Sequence, residues 1–270
     1  MTVTLPECNL SKRYQIRPLT LCHLQWTKAI FVHANTSPSS IWPTLQPGNQ
    51  TVLAYRQFHA VDYLMQHMIR SGMSFGVFDT EYKYRFPSSA KTGGQLYWDE
   101  KDETATTDHL LQQMDFPLVS IALSYDAAEP PDEAEIQEYY DIVPVVREML
   151  GYLESLVPSS ARKGYAGAGR GKALMRRATA TRGDYEGQGI MKGMAWWLMG
   201  EAKRRGYEVI EIPIGHPAVR RVWENPPKPF RAVVMAEFVV GDYEVVDGEG
   251  KKTRPYEGIN VGRCRLRIDL

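Results

Sequence analysis

Residues 172–224, KALMRRATATRGDYEGQGIMKGMAWWLMGEAKRRGYEVIEIPIGHPAVRRVWE, decide the fold, because they read as strand, glycine turn, helix, strand and short helix. Gly187 and Gly189 allow a tight turn and leave the backbone uncovered where the helix begins. Unpaired N–H groups in the first turn of a helix, together with the helix dipole, attract anions such as a pyrophosphate. The stretch therefore predicts an anion-binding helix terminus, although a plain strand–turn–helix of an α/β core has the same pattern.

The spacing of apolar residues places the other elements around this stretch. Strands are predicted at residues 14–19, 73–84, 95–98, 117–125, 172–181, 207–214, 230–240 and 262–270. Helices are predicted at residues 20–34, 51–70, 108–113, 132–156, 189–205 and 216–224. Pro144 must kink or divide the helix that contains it, and residues 158–172, rich in glycine, serine and basic residues, predict a flexible loop. The mixed order indicates an α/β or α+β domain without an obvious linker.

Several familiar catalytic motifs are missing or incomplete. GYAGAGRGK, residues 164–172, has Ala166 where a phosphate-binding loop needs its first glycine, and Ala173 where the loop needs Ser or Thr. The same glycines do not match a dinucleotide-binding fingerprint. The sequence has no HExxH or GxSxG, and its six histidines show no metal-binding pattern. No metal is therefore expected.

Composition excludes other classes of protein. The 270 residues are 43% apolar and 24% charged, with 32 basic and 32 acidic residues. A disordered chain would be less apolar, and a general nucleic-acid binder would usually carry a basic excess. No apolar run is long enough for a membrane-spanning helix, the N-terminal residues show no secretory signal, and three cysteines are too few for a disulfide scaffold. We expect a cytoplasmic protein with no nucleic-acid or membrane partner.

The balanced total hides two unlike regions. Residues 99–138 contain twelve acidic residues and one basic residue, whereas residues 162–182 contain seven basic residues and no acidic ones. The basic region runs directly into the glycine turn, where positive charge suits an anionic ligand. Each region also has the pattern of an ordinary solvated surface segment.

Residues 172–224 resemble the GNAT superfamily of acyl-CoA-dependent N-acetyltransferases. In that family a segment Arg/Gln-x-x-Gly-x-Gly/Ala follows the fourth strand and binds the pyrophosphate of acetyl-coenzyme A (acetyl-CoA) through backbone amides. YEGQGI, residues 185–190, resembles the common YRGKGI, with Glu186 at the usual Arg or Gln and Met191 at the usual Gly or Ala. EAKRRGYEVIEIPI resembles the helix, Gly-Tyr and fifth strand of the family, and HPAVRRVW its following Asn-x-x-Ala-x-x-Leu-Tyr helix.

The resemblance implies an α/β fold with a central, mostly antiparallel sheet, whose fourth and fifth strands splay apart between flanking helices. It implies a single domain over residues 1–270, with a cofactor-binding core at about 172–224 and an insertion at about 92–160. Acetyl-CoA would be the co-substrate, with its pantetheine arm between the splayed strands. The positions implied to contact it are Thr179, Thr181, Glu186, Gly187, Gln188, Gly189, Ile190, Met191 and Trp223.

Two residues are candidates for the general base that removes the proton of the amine. Glu211 interrupts the apolar fifth strand and would accept the proton through water, unless it simply faces solvent. His216, at the family's Asn position, has a suitable unperturbed pKa, but a helix-capping role explains it equally well. Trp223 stands where the family often has a tyrosine that protonates the leaving thiolate, and an indole cannot do so.

A small-molecule amine is the expected acceptor, in preference to a protein tail. Asp79 and Glu81, on a predicted strand, are candidates for binding a cationic amine, and Tyr55 and His59 belong to an aromatic wall on the predicted helix 51–70. Solvated strand ends and core packing are the competing explanations. The alternative function is a catalytically lapsed, CoA-binding or interaction protein of the same fold. The oligomeric state is not predicted.

Overall fold

The computed structural model describes residues 10–162, 169–246 and 248–270. In these ranges a seven-stranded sheet runs through the molecule and two short two-stranded sheets lie beside it. The strands are β1 Tyr14–Pro18, β2 Phe75–Asp79, β3 Gln95–Leu96, β4 Met114–Asp115, β5 Leu118–Asp126, β6 Ala173–Thr181, β7 Val209–Ile214, β8 Arg231–Val239, β9 Val245–Val246, β10 Lys252–Thr253 and β11 Gly262–Asp269.

Helices pack on both faces of the large sheet. They are α1 Leu24–Thr36, α2 Trp42–Leu45, α3 Gln50–Ala60, α4 Asp62–Arg70, α5 Pro87–Thr92, α6 Thr107–Gln112, α7 Gln137–Ile142, α8 Pro144–Ser155, α9 Ser159–Arg162, α10 Ile190–Arg204 and α11 Pro217–Trp223. Single 3₁₀ turns occupy Leu21–His23, Gly183–Tyr185 and Val240–Asp242. α1 and α4 contact β5 on one face, whereas α10 and α11 cover β6, β7 and β11 on the other.

The large sheet has the strand order β1-β2-β5-β6-β7-β11-β8, and its pairs are antiparallel except for β6 with β7. β6 and β7 are the fourth and fifth strands of this sheet in chain order. They pair over only three positions, Ala173–Met175 with Val209–Glu211, and then separate. The predicted fold class, a mostly antiparallel sheet with splayed fourth and fifth strands, is therefore confirmed.

The structure sharpens several predicted elements. Residues 51–70, predicted as one helix, form α3 and α4, because the backbone of Val61 leaves the helical region at ψ 0°. Pro144 divides the next long helix as predicted, and it begins α8 at a position where no N–H is needed. The strand predicted at 73–84 ends at Asp79, whose side chain accepts the N–H of Glu81 in a turn.

The region predicted as an insertion, residues 92–160, contains part of the large sheet. It includes β5, a nearly fully buried strand that lies between β2 and β6. Its other elements are the small sheet of β3 with β4, the helix α6, and the helices α7 and α8 that cover one face. The predicted boundaries of the insertion are therefore wrong where they include β5, because a strand in the middle of a sheet belongs to its core.

The predicted loop at 158–172 includes α9, and its residues 163–168 lie outside the described residues. Within the described ranges, no helix is both long enough and apolar enough to cross a bilayer.

Candidate functional site

A cleft of about 590 Å³ opens where β6 and β7 separate. One cause is a bulge in β6, where the pairing with β5 shifts between Leu123 and Ser124 and leaves Arg177 without a partner residue. A bulge adds one residue to a strand and bends it. Beyond Met175, β6 and β7 are therefore no longer paired with each other, and their facing edges form two walls of the cleft.

The glycine turn and the start of α10 form the rim of this cleft. Gly187 and Gly189 have φ values of +76° and +75°, a backbone conformation that favours glycine. A Cβ at either position would meet nothing within 4 Å, so the space in front of both residues is open. The first helical hydrogen bond runs from the N–H of Gly193 to the carbonyl of Gly189. The N–H groups of Ile190 to Lys192 are thus left without partners inside the helix.

Most of the predicted cofactor-contacting residues line the cleft together. They are Thr179, Thr181, Glu186, Gly187, Gly189, Ile190 and Met191. Gln188 is outside this set, and its side chain accepts a hydrogen bond of 2.5 Å from the hydroxyl of Tyr14. Trp223 is also outside it: the ring is 1% exposed in the core under α10 and α11. The structure therefore places Trp223 in the core and not along the cleft.

The two candidate bases differ in position. His216 lines the cleft and caps α11, where its Nδ1 accepts the N–H of Ala218 at 3.1 Å. That hydrogen bond places the proton of the neutral ring on Nε2. Glu211 does not line the cleft, and its carboxylate forms an ion pair with Arg265, which also binds Glu154 on α8.

The predicted amine-binding residues lie outside the cleft. Asp79 is 2% exposed and accepts hydrogen bonds from Arg13, at 2.8 and 2.6 Å, and from the hydroxyl of Tyr185, at 2.7 Å. Burial opposes ionisation of this carboxyl, but the hydrogen bonds from Arg13 and Tyr185 outweigh it and hold the pKa of Asp79 below its ordinary value. Asp79 thereby ties β2 to Tyr185, whose own pKa is raised, chiefly by burial.

The remaining three acceptor-site candidates are also elsewhere. Glu81 is exposed in the turn after β2. The hydroxyl of Tyr55 donates to the carbonyl of Asp102 at 3.2 Å, and His59 contacts Glu100 at 2.8 Å. Both side chains thus attach α3 to the acidic segment and take no part in lining the cleft.

The basic residues before the glycine turn were visible in the sequence, but the contribution of later basic residues to the cleft was not. Five cationic side chains line it within the described residues, against one carboxylate, that of Glu186. The cations are Arg176, Arg177, Lys192, Arg221 and Arg263. The alternation of arginine with apolar residues in β11 was the available signal there, but an exposed strand face gives the same pattern.

Arg176 holds the bulge of β6 in place. Its Nη1 donates to the carbonyls of Leu123, at 2.6 Å, and Ala178, while its Nη2 donates to the hydroxyl of Thr179. The side chain is 2% exposed and has no carboxylate partner among the described residues. Burial lowers its pKa to about 9.

The wall opposite α10 is apolar and aromatic. α1, α2, α4, α7 and α8 contribute to it. Its main side chains are Phe31, Trp42, Met68, Tyr139, Val146 and Leu150. The cleft therefore combines cationic side chains with an apolar and aromatic wall.

Comparisons with known proteins identify the fold. No protein-family model matches the chain, and no curated protein matches its sequence. The C-terminal condensation domain of Ebony, solved in complex with beta-alanyl-dopamine, superposes with a TM-score of 0.65 at 17% identity, over 95% of this chain and 99% of the other.

Two further solved structures are similar over the same share of this chain. Arylalkylamine N-acetyltransferase 2 from Aedes aegypti superposes with a TM-score of 0.56 at 11% identity, over 95% of this chain and 98% of that one. The Drosophila melanogaster polyamine N-acetyltransferase superposes with a TM-score of 0.51 at 10% identity, over 95% of this chain and 100% of that one. The chain has the GNAT fold, as residues 172–224 predicted.

Proposed function

We propose that this protein is an acyl-CoA-dependent N-acyltransferase that moves an acetyl group from acetyl-CoA to the amine of a small molecule. The observation that carries the proposal is the open glycine turn at the rim of the β6–β7 cleft. Fold alone does not establish an activity, since one fold supports many. The turn, the uncovered amides and the cationic rim together form a site suited to an anionic, extended co-substrate.

The residues present fit acetyl-CoA. The amides of Ile190 to Lys192 point out of a helix terminus with no acidic residue in its first turn, so a pyrophosphate would be favourable there. Lys192 and Arg221 add positive charge among the lining residues. Thr179 and Thr181 lie along β6, where the free strand edges suit the amide groups of a pantetheine arm. When bound, acetyl-CoA supplies the thioester that the amine attacks.

The chain's own groups then have distinct tasks. We assign backbone N–H groups on the free edge of β6 to the stabilisation of the oxyanion that forms when the amine adds. His216, protonated on Nε2, is assigned to donate a hydrogen bond to developing negative charge, because its Nδ1 lone pair is used by the N–H of Ala218. We assign Glu211 a structural role, because its ion pair with Arg265 links β7 to β11, and Arg265 in turn binds Glu154 on α8. The proton of the amine passes to water in the open cleft.

A small-molecule acceptor is supported by the shape and lining of the cleft. The apolar wall of α1, α2 and α8 suits a compact aromatic or aliphatic group. The names of the similar structures point the same way, since they refer to arylalkylamines, to a polyamine and to bound beta-alanyl-dopamine.

Isothermal titration with acetyl-CoA tests the proposal directly, with S-acetylpantetheine as the matched ligand that lacks the phosphates. Acetyl-CoA should bind at least tenfold more tightly, because only it reaches the glycine turn. Release of free thiol in the presence of small amines should follow. Absence of acetyl-CoA binding would overturn the proposal.

A second function is favoured by one observation. Trp223 stands where a tyrosine often donates a proton, and its ring is buried away from the cleft. A CoA-binding protein without transferase activity has no need of that proton donor. Tight acetyl-CoA binding without thiol release over a broad panel of amines would select this alternative.

A further inference from the structure

Arg263 presents a buried guanidinium to the cleft. The residue lies near the start of β11, is 3% exposed, and stacks over the ring of Trp42 with 4.8 Å from Cζ to the ring centroid. Its Nε and Nη1 atoms have no hydrogen-bond partner among the described residues. A buried charge is unfavourable unless it is paired. The cleft therefore contains a guanidinium whose partner the described chain does not supply.

The surroundings of Arg263 are cationic. The charged side chain acting on it is Arg177, which donates to the hydroxyl of Tyr140 at 3.0 Å and also lines the cleft. Burial first, and then Arg177, lower the pKa of Arg263 to about 10. The next arginine on the same face of β11, Arg265, differs, because Glu211 and Glu154 both pair with it. The shortage of carboxylates is confined to the part of β11 that faces the cleft.

Gly215 makes room for the guanidinium. With Arg263 in its present position, a Cβ here would lie 2.7 Å from Nη1, closer than real Cβ atoms come, and 3.0 Å from Cζ. Gly215 has no positive φ, so the backbone conformation does not require glycine there. Glycine at position 215 instead leaves free the space that a side chain would occupy. Glycine at the end of β7 thus leaves room for the guanidinium of Arg263.

We propose that Arg263, with Arg177 beside it, binds a carboxylate of the acyl acceptor, so that the acceptor is an amino acid with an apolar or aromatic side chain. The inference rests on the proposed function, which places an amine in this cleft. A planar guanidinium matches a carboxylate with two parallel hydrogen bonds. The aromatic residues Trp42, Phe31 and Tyr139 provide a surface for the side chain of such an acceptor. Two guanidinium groups also favour the neutral form of the acceptor's amine, which is the form that attacks.

Binding of acetylated products tests the assignment without any need for turnover. Titration compares N-acetylphenylalanine with N-acetylphenethylamine, which differ only by the carboxylate. Wild-type protein should bind the acid at least tenfold more tightly. Arg263→Met should remove that preference, Arg263→Lys should keep part of it, and Arg231→Met, an exposed arginine on β8 that does not line the cleft, should retain all of it.

Stability gives an independent readout. Arg263→Met should raise the Tm of the ligand-free protein, since it removes an unpaired buried charge, while it abolishes the stabilisation by N-acetylphenylalanine. Equal binding of the two products by wild-type protein would overturn the assignment, and so would a preference that survives in Arg263→Met. A preference for succinyl-CoA over acetyl-CoA that disappears in Arg263→Met would move the carboxylate to the donor and overturn it as well.

The outcomes separate this inference from the proposed function. Acetylation of phenethylamine but not of phenylalanine would leave the transferase standing and refute the carboxylate site. Selective binding of N-acetylphenylalanine without any binding of acetyl-CoA would refute the transferase and leave the carboxylate site standing.

Discussion

Among the side chains, Asp79 shows how a buried acid is stabilised in this protein. Its two oxygens accept from the N–H of Glu81 in the adjacent turn and from Arg13 and Tyr185, which are distant along the chain. The sequence placed Asp79 on a strand, although the predicted strand ran on to residue 84 and the observed one ends at Asp79. It could not show that Arg13 and Tyr185 fold onto it, because both contacts depend on the sheet topology. The residue expected to bind substrate is held in a structural network.

Asp79→Asn should lower the free energy of unfolding by about 2 kcal/mol near neutral pH, because it weakens the hydrogen bonds of a buried carboxylate with the buried hydroxyl of Tyr185 and the partly exposed Arg13. The pKa of this carboxyl is lower in the folded protein than its ordinary value. Its contribution is therefore complete above that value and is lost as the pH falls through the folded pKa. Urea unfolding at neutral and acidic pH measures the difference, which should shrink in acid. The exposed neighbour substitution Glu81→Gln is the control, and equal stability of Asp79→Asn and wild type at neutral pH would contradict the prediction.

Glu211 gives a second prediction for a single side chain. Glu211→Gln should cost about 1 kcal/mol of stability, because it weakens one contact of Arg265. The value of kcat/KM and its pH profile should stay close to wild type, whereas removal of a general base lowers rates about 100-fold or more. Glu154→Gln, which removes the other partner of Arg265, should behave in the same way. A large fall in kcat/KM confined to Glu211→Gln would restore Glu211 as the base.

Secondary-structure elements were predicted well where local signals set them. The bounds of β6, α10, β7 and α11 lie within two residues of the predicted ones, since glycine turns, basic helix ends and alternating apolar residues mark them. The break between α3 and α4 carries no proline or glycine, and it follows from packing of both helices against the core. The orientation of Arg176 and Arg177 could not be assigned, because the bulge in β6 decides which way they face.

The start of α10 is the element whose geometry matters most for the proposed co-substrate. Gly189→Asp should weaken acetyl-CoA binding at least 100-fold, because it strains a backbone at φ +75° and puts a carboxylate beside the free amides. Gly206→Asp is the matched control: Gly206 follows the other end of α10, has φ +93° and also faces open space. Titration with acetyl-CoA measures both variants. Unchanged affinity in a folded Gly189→Asp protein would show that the co-substrate does not bind at the turn.

The whole molecule is electrically neutral, but its cleft is not. The 32 basic and 32 acidic residues cancel over the chain, whereas the described lining of the cleft has five cationic side chains and one carboxylate. Neutrality was visible in the sequence, and so was the excess of basic residues before the glycine turn. The contribution of Arg221 and Arg263 was not, since the fold brings them to the cleft from later strands and helices.

This charge distribution predicts how acetyl-CoA should stabilise the protein. At a ligand concentration about 100-fold above Kd, binding adds about 2.7 kcal/mol to the stability of the folded state, which for a chain of this length corresponds to a rise in Tm of about 5 °C. The rise should shrink when NaCl increases from about 50 to about 500 mM, because salt screens the cationic rim. Thermal unfolding measures both effects. Any stabilisation by uncharged S-acetylpantetheine should be insensitive to salt, and a salt-independent shift with acetyl-CoA would contradict the prediction.

The short pairing of β6 with β7 has a mechanical consequence. One half of the large sheet consists of β1, β2, β5 and β6, and the other half consists of β7, β11 and β8. Three residue pairs between β6 and β7 join the two halves. That short pairing lies at one end of both strands, so a small rotation about it would open or narrow the far end of the gap. A molecule in the gap that forms hydrogen bonds with both β6 and β7 would join the two halves of the sheet, as an eighth strand would. Binding of such a molecule would therefore also make the sheet more rigid.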